Sequence, residues 1–185
     1  DALLFNQDLP ISIASSKSRL KLATDADPWT MMQTAIGQGD TMMSPLHEVI
    51  LSAAIANGGV LVEPTLLRQV QSAEGKVVKT FGEGAKRTLM SAEEASTLGG
   101  FMRRVVTEGT ASALRKADYE AAGKTGSAEV VKNGEKSTTA WFTGFAPYEN
   151  PEIAICVVVE DGETGGRTAA PIARKVLDYW LEERN

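Results

Sequence analysis

The four residues Lys124-Thr125-Gly126-Ser127 place a cation, two hydroxyls and a glycine side by side, just before two apolar runs of strand character. An ammonium and two hydroxyls can hold a carboxylate, while a backbone N–H beside the glycine can face a developing oxyanion. These are the groups a serine acyl transfer requires around its reacting carbonyl. In an extended strand, alternation sends Lys124 and Gly126 to one face and Thr125 and Ser127 to the other. Strand twist or an edge position can bring them together, and at a sheet edge main-chain groups are also free to pair with an extended peptide. Glycine at 126 permits another backbone to approach closely. Taken alone the triplet is weak, because it arises by chance in roughly a few per cent of chains this long.

Other reactive side chains are sparse. His47 is the only histidine, which makes a Ser-His-Asp triad or a multi-histidine metal site hard to build. Within its helix it reads as a solvated or capping residue. Cys156 is the only cysteine, so no internal disulfide forms. It lies inside an apolar strand and reads as a buried structural thiol. One formal Ser-x-x-Lys exists, Ser18-Arg19-Leu20-Lys21, and no Ser-x-Asn. Tyr148-Glu149-Asn150 precedes Pro151 and reads as a turn.

The elements that must position the Lys-Thr-Gly segment are legible from caps and periodicity. Residues 1–43 are punctuated by Pro10, Pro28, Gly37 and Gly39 and read as irregular, with a short turn over 31–35. Ser44-Pro45 is an N-cap followed by proline at the first helical position. Leu46, Val49, Ile50, Ala53 and Ala54 continue at helical spacing until Asn57-Gly58-Gly59 ends the helix. Residues 66–71 and 76–81 read as a hairpin. Ser91 and Glu94 form a capping box that opens a helix to about 107, and a short helical turn follows over 111–115. Strands are expected over 120–131, 137–145 and 152–160, the first two joined by Lys132-Asn133-Gly134-Glu135, whose Asn-Gly pair suits a type I′ turn. A closing helix over 170–183 carries Ile172, Val176, Leu177, Trp180 and Leu181 as its apolar stripe.

The fold class is therefore α+β, an antiparallel sheet packed with helices. One domain is expected over 1–185: a mostly helical region with a hairpin over 1–119, then the Lys-Thr-Gly strand, two further strands and the closing helix over 120–185. The chain has 185 residues, 43% hydrophobic and 23% charged, enough for a sizeable core. Its net charge of −5, with no basic stripe, argues against a nucleic-acid surface. The longest apolar run, Ile153–Val159, is too short to cross a bilayer. The opening residues start as if in mid-domain, so the chain reads as cut from something longer.

The segment Ala122-Gly123-Lys124-Thr125-Gly126-Ser127-Ala128-Glu129, followed by Ala140-Trp141-Phe142-Thr143-Gly144-Phe145-Ala146-Pro147 and the run 152–160, resembles the final strands of penicillin-binding protein transpeptidase domains. Gly37-Gln38-Gly39, Ser44-Pro45-Leu46, the run 53–59, Thr110 after Gly109, and Ala169-Ala170-Pro171-Ile172-Ala173 are similar to the same family, in its order. The likeness covers essentially the whole chain, and the class B, monofunctional type is nearest.

The resemblance implies a peptidoglycan D,D-transpeptidase acting on D-Ala-D-Ala stem peptides, blocked by β-lactam antibiotics, without metal or cofactor. It works outside the cytoplasmic membrane, on a parent held there by an N-terminal anchor. Lys124 would support proton transfer and the field around the ligand carboxylate. Thr125 and Ser127 would bind that carboxylate, the Ser127 N–H would supply half of the oxyanion hole, and Gly126 would keep the strand open. The family's Ser-x-x-Lys and Ser-x-Asn motifs precede its Gly-Gln-Gly region, and the residues before Gly37 are too few for both. Ser18 lacks the family's small-residue surroundings and reads as a loop serine. The chain therefore reads as the C-terminal portion of the domain, without a nucleophile, and inactive alone. A missing N-terminal part of the domain would be its partner. A β-lactam sensor, a noncatalytic binding domain, a serine β-lactamase relative and a plain structural α+β domain are the competing readings.

Overall fold

The computed structural model describes residues 3–132 and 134–183. In chain order it forms helices α1 (Pro28–Ala35) and α2 (Pro45–Ala56), then strands β1 (Val60–Val62), β2 (Gln69–Gln71), β3 (Val77–Thr80) and β4 (Lys86–Thr88). Helix α3 (Ala92–Thr107) and a 3₁₀ turn (Ser112–Leu114) lead to the long strands β5 (Ala122–Lys132), β6 (Glu135–Ala146) and β7 (Ile153–Val159). Helix α4 (Ala170–Asp178) follows, with a π-type turn at each end, Gly165–Ala169 and Tyr179–Glu183. The architecture is α+β, as expected.

The strands β5, β6 and β7 form one antiparallel sheet in that order. Because side chains alternate, the sheet has two apolar faces, each covered by helix. Ala140, Phe142 and Ala146 point to one face and pack with Val106, Leu114, Ala173 and Leu177. Ala122, Phe145 and Ala154 point to the other and meet Met102 of α3 and Ile55 of α2. Helix α2 is buried on two sides, since its Ile50 and Ala54 join a separate cluster with Leu4, Leu9, Leu61 and Leu89. The outer edges of β5 and β7 pair with no strand among the described residues.

Both capping signals form. Ser44 Oγ accepts from the His47 N–H at 3.2 Å. At α3, Ser91 Oγ accepts from the Glu94 N–H and Glu94 Oε2 accepts from the Ser91 N–H, at 3.2 and 2.8 Å. Four expectations need correction. Residues 28–35 make a full helix, because Asp27 caps Trp29 and Thr30 through its carboxylate and Pro28 pre-sets the first turn. The hairpin strands are shorter than the runs 66–71 and 76–81, and β1 and β4, unrecognised in sequence and flanking them along the chain, pair antiparallel as a separate two-stranded sheet. Helix α4 buries Ala170, Ala173 and Leu177, whereas Ile172 and Val176 are 41% and 44% exposed. Small residues at 170 and 173 let the helix lie close to the sheet, so its buried stripe is set by alanines rather than by its largest side chains. Asn133 of the expected turn lies outside the described residues; Gly134 beside it has φ +84°.

The fourth correction is His47, which is fully buried. Its Nε2 lies 2.7 Å from the Leu3 carbonyl oxygen, so Nε2–H donates and Nδ1 is left as a buried lone pair with no partner among the described residues. Burial depresses its pKa below the ordinary histidine value. The native state therefore binds fewer protons here than the unfolded chain, and stability rises with pH. This contribution is fully present above the ordinary value of about 6.5 and is lost as pH falls through the lowered native one. The urea midpoint is expected to drop between pH 7.5 and pH 5, and His47→Gln should flatten that slope; an unchanged slope would place the titration elsewhere.

Candidate active site

Strand β5 lies at a free sheet edge, and its Lys-Thr-Gly-Ser stretch pairs inward with Thr143, Phe142, Trp141 and Ala140 of β6. The carbonyls of Thr125 and Ser127 point outward. Lys124 Nζ donates to Thr125 O at 2.6 Å, and Gln38 Nε2, from the Gly37-Gln38-Gly39 segment, donates to Ser127 O at 3.4 Å. In an antiparallel strand the N–H and C=O of one residue share a side. The Ser127 N–H therefore faces the same open edge, the orientation an oxyanion donor needs.

The two hydroxyls lie on the opposite face of β5 from Lys124, as alternation requires. Thr125 is nearly buried, with Oγ1 2.5 Å from Thr110 Oγ1. Ser127 is exposed, and its Oγ accepts from the Gly165 N–H at 3.3 Å. One hydroxyl of the threonine pair donates to the other and leaves one proton free. Ser127, already accepting from Gly165, keeps its own proton to donate. The Gly165-Gly166 turn lies directly on the strand: a Cβ on Gly165 would sit 2.8 Å from Gly126 N and 2.6 Å from Gly126 O. A Cβ on Gly126 itself would meet Trp141 Cβ at 3.2 Å.

On the other face, Lys124 is exposed and stands in register with Thr143 of β6, which is in register with Cys156 of β7. Helix α2 lies over the Thr143 and Cys156 end of this row, while α3 covers β5. Ser52 Oγ is 2.6 Å from Thr143 Oγ1, and Thr143 Oγ1 is 3.4 Å from the Glu48 and Ile155 carbonyl oxygens. Burial raises the Glu48 carboxyl above the ordinary glutamate value, and the nearby Lys124 charge offsets part of that rise. The Cys156 thiol is pushed up to about 12, first by burial and then by the Glu48 charge. A thiol held neutral in this way is a poor nucleophile.

The structure thus brings Lys124, Thr125, Gly126 and Ser127 to one edge and adds Gln38, Thr110 and Gly165. It keeps Ser18 apart as a buried residue, 1% exposed, whose Oγ accepts from the Ser44 N–H at 3.0 Å. Gln38, Thr110 and Gly165 carried no signal as site neighbours in the sequence, because each reaches β5 from a separate segment. Two shallow concavities of about 350 and 370 Å³ lie elsewhere, the first by Pro10, Pro64 and Phe81, the second between Ala53, Val60 and Ile153. The candidate site is an open strand edge rather than a pocket. No group of metal-ligating side chains occurs among the described residues.

A helix-covered antiparallel sheet with Lys-Thr-Gly on its edge strand defines an α+β domain of the penicillin-binding protein and serine β-lactamase type. Residues 8–178 match the family model of the penicillin binding protein transpeptidase domain. The chain belongs to that family, and its relatives are of the class B type. It is 33% identical over 178 residues to the peptidoglycan D,D-transpeptidase MrdA of Haemophilus influenzae, covering 85% of this chain and 27% of that protein. It is 30% identical to the peptidoglycan D,D-transpeptidase PbpA of Mycolicibacterium smegmatis, covering 95% of this chain and 36% of the relative. The crystal structure of PBPA from Mycobacterium tuberculosis superposes with a TM-score of 0.83 at 28% identity, over 98% of this chain and 42% of that one. The penicillin G acyl-enzyme complex of penicillin-binding protein A from M. tuberculosis gives a TM-score of 0.82 at 29% identity, with 98% and 41% covered. The chain spans roughly a quarter to a third of the length of these curated relatives.

Proposed function

We propose that the chain supplies the carboxylate-binding and oxyanion side of a peptidoglycan D,D-transpeptidase site, which β-lactams also occupy. The observation that carries this reading is the outward-facing edge at Ser127. Its main chain presents a carbonyl to a peptide N–H and an N–H to an oxyanion, with Lys124 on one side and the Thr125 and Ser127 hydroxyls on the other.

In the reaction, a serine oxygen bonds to the carbonyl carbon of the penultimate D-alanine. The amide C–N bond breaks, and the serine proton passes to the leaving D-alanine amine. The amine of a second stem peptide then displaces the serine to give a cross-link. Lys124 sets the field at the substrate carboxylate and aids proton transfer, and the hydroxyls of Thr125 and Ser127 bind that carboxylate. The Ser127 N–H stabilises the tetrahedral oxyanion, a donor position typically worth about 10²- to 10³-fold in rate.

The nucleophile belongs to residues of the same domain outside these 185. Ser18 is buried and hydrogen-bonded through Oγ, so it is not presented to a ligand. The reaction takes place outside the cytoplasmic membrane, where peptidoglycan lies, with the parent anchored there. Intact-protein mass spectrometry after benzylpenicillin treatment tests this reading. The 185-residue chain should gain no adduct, and the complete transpeptidase domain should gain one penicilloyl group on a serine outside it. An adduct on Ser18, or none on the complete domain, would overturn it.

A further inference from the structure

The two hydroxyls on one face of the β5 edge are each backed by a partner from outside the sheet. Ser127 Oγ accepts from the Gly165 N–H at 3.3 Å and keeps its own proton to donate. Thr125, two residues earlier on the same face, is only 8% exposed, and its Oγ1 lies 2.5 Å from Thr110 Oγ1. Thr110 is itself exposed and comes from the segment between α3 and the 3₁₀ turn. That segment is pinned on several sides. Arg115 Nε donates to the Val106 carbonyl at 3.3 Å and its Nη2 to the Gly109 carbonyl at 3.4 Å. The buried Ala111 donates through its N–H to the Val105 carbonyl at 3.0 Å. The Gly165-Gly166 turn closes the other side, where a Cβ on Gly166 would sit 2.4 Å from Thr110 O. Thr110 therefore reaches Thr125 from a fixed main chain.

We infer that Thr110 is a positioning residue for the carboxylate subsite: its hydroxyl donates to Thr125 Oγ1 and so commits the Thr125 proton to the ligand. The inference rests on the reading above of Thr125 and Ser127 as the groups that bind the ligand carboxylate. A threonine hydroxyl carries one proton and two lone pairs. Were Thr125 to donate back to Thr110, its oxygen would have no proton left for an anion, and the carboxylate would lose one of its two hydroxyl donors. With Thr110 as donor, Thr125 stands as Ser127 does, accepting from behind and donating forward. A bound anion selects this orientation, because the chain Thr110–Thr125–carboxylate aligns its dipoles toward the negative charge and each bond strengthens the next. Holding the donor on a fixed main chain lowers the ordering cost of binding. The gain belongs to an anionic ligand; a neutral ester in the same place receives little of it.

The test compares second-order acylation of the complete transpeptidase domain by benzylpenicillin and by its methyl ester. Thr110→Val keeps the shape of the side chain and removes its donor. It should slow acylation by the acid roughly 3- to 10-fold, the size of one neutral hydrogen bond, and leave the ester nearly unchanged. The acid-to-ester ratio therefore falls, and that ratio is independent of the fraction of active enzyme. Thr110→Ser should recover the ratio, since the hydroxyl returns. An equal loss for acid and ester would mean that Thr110 serves packing only and would sink the inference. In a Thr125→Val background, Thr110→Val should add no further loss, because it acts through the Thr125 hydroxyl. Additive losses would make Thr110 a direct ligand contact and overturn the positioning role. An unmutated domain that takes acid and ester alike would reject the carboxylate reading of β5 itself, and the inference with it.

Discussion

Lys124→Ala in the complete transpeptidase domain is expected to slow benzylpenicillin acylation by roughly 10²- to 10³-fold, the range found when a preorganised charge or general-acid/base partner is lost. The ammonium stands at the open edge beside the Thr125 carbonyl, where a ligand carboxylate and a proton in transit would both feel it. The side chain is exposed and takes no part in the core, so folding should be nearly untouched, within about 0.5 kcal/mol. A large kinetic loss with an unchanged melting temperature separates a site residue from a structural one. A loss smaller than about threefold would remove Lys124 from the chemistry. Lys124→Arg should not restore full rate, because a planar guanidinium cannot replace a compact ammonium that exchanges its proton.

Gly165→Ala should cost about 3 kcal/mol of stability, at the upper end of ordinary overpacking, or roughly 10 °C in Tm for a domain of this size. The added Cβ would lie 2.3 Å from Trp141 O and 2.8 Å from Gly126 N. These are backbone atoms of β6 and β5, so no rotamer change relieves the clash. Relief requires the turn to lift off the Lys-Thr-Gly strand, which also breaks the Gly165 N–H to Ser127 Oγ bond. Drug binding should therefore weaken along with stability. Gly82 is the control, since a Cβ there meets nothing within 4 Å and its φ is not in the left-handed region. Gly82→Ala should be neutral or slightly stabilising. Equal melting temperatures for the two variants would refute the close packing of the turn on the strand.

What sequence could disclose was set by local signals. Ser44-Pro45 and the Ser91–Glu94 box announce helix starts because an oxygen three residues from an unpaired N–H is a purely local arrangement. The long strands were legible from apolar runs bounded by turn residues, and Ile153–Val159 is a continuous one because a strand covered on both faces has no polar side. Helix α1 was missed although Asp27-Pro28 is the same kind of signal, because its residues are largely exposed and carry no apolar stripe toward a core. The stripe of α4 was misassigned for the opposite reason: the close contact is made by Ala170 and Ala173, and residue size misleads where helix and sheet nearly touch. His47 followed the same pattern, since a buried imidazole satisfied by Leu3, 44 residues away, leaves no local trace.

The site was legible to a similar depth. The Lys-Thr-Gly-Ser run and its alternation placed the charge and the hydroxyls on opposite faces, and the register agrees. What could not be read was which groups from distant segments complete the surroundings. Gln38 reaches Ser127 across 89 positions and Thr143 reaches the Glu48 carbonyl across 95. Such pairings depend on how α2 and the Gly37-Gln38-Gly39 segment dock on the sheet, which no local spacing encodes.

The most direct measurement is a crystal structure of the complete transpeptidase domain acylated by benzylpenicillin. The drug should lie along the free edge of β5. Its acyl carbonyl oxygen should accept from the Ser127 N–H, its carboxylate should meet the Thr125 and Ser127 hydroxyls, and its side-chain amide should replace Gln38 at the Ser127 carbonyl. A drug bound covalently with its carboxylate away from β5, or with the Ser127 N–H turned inward, would contradict the assignment of this strand as the ligand-binding edge.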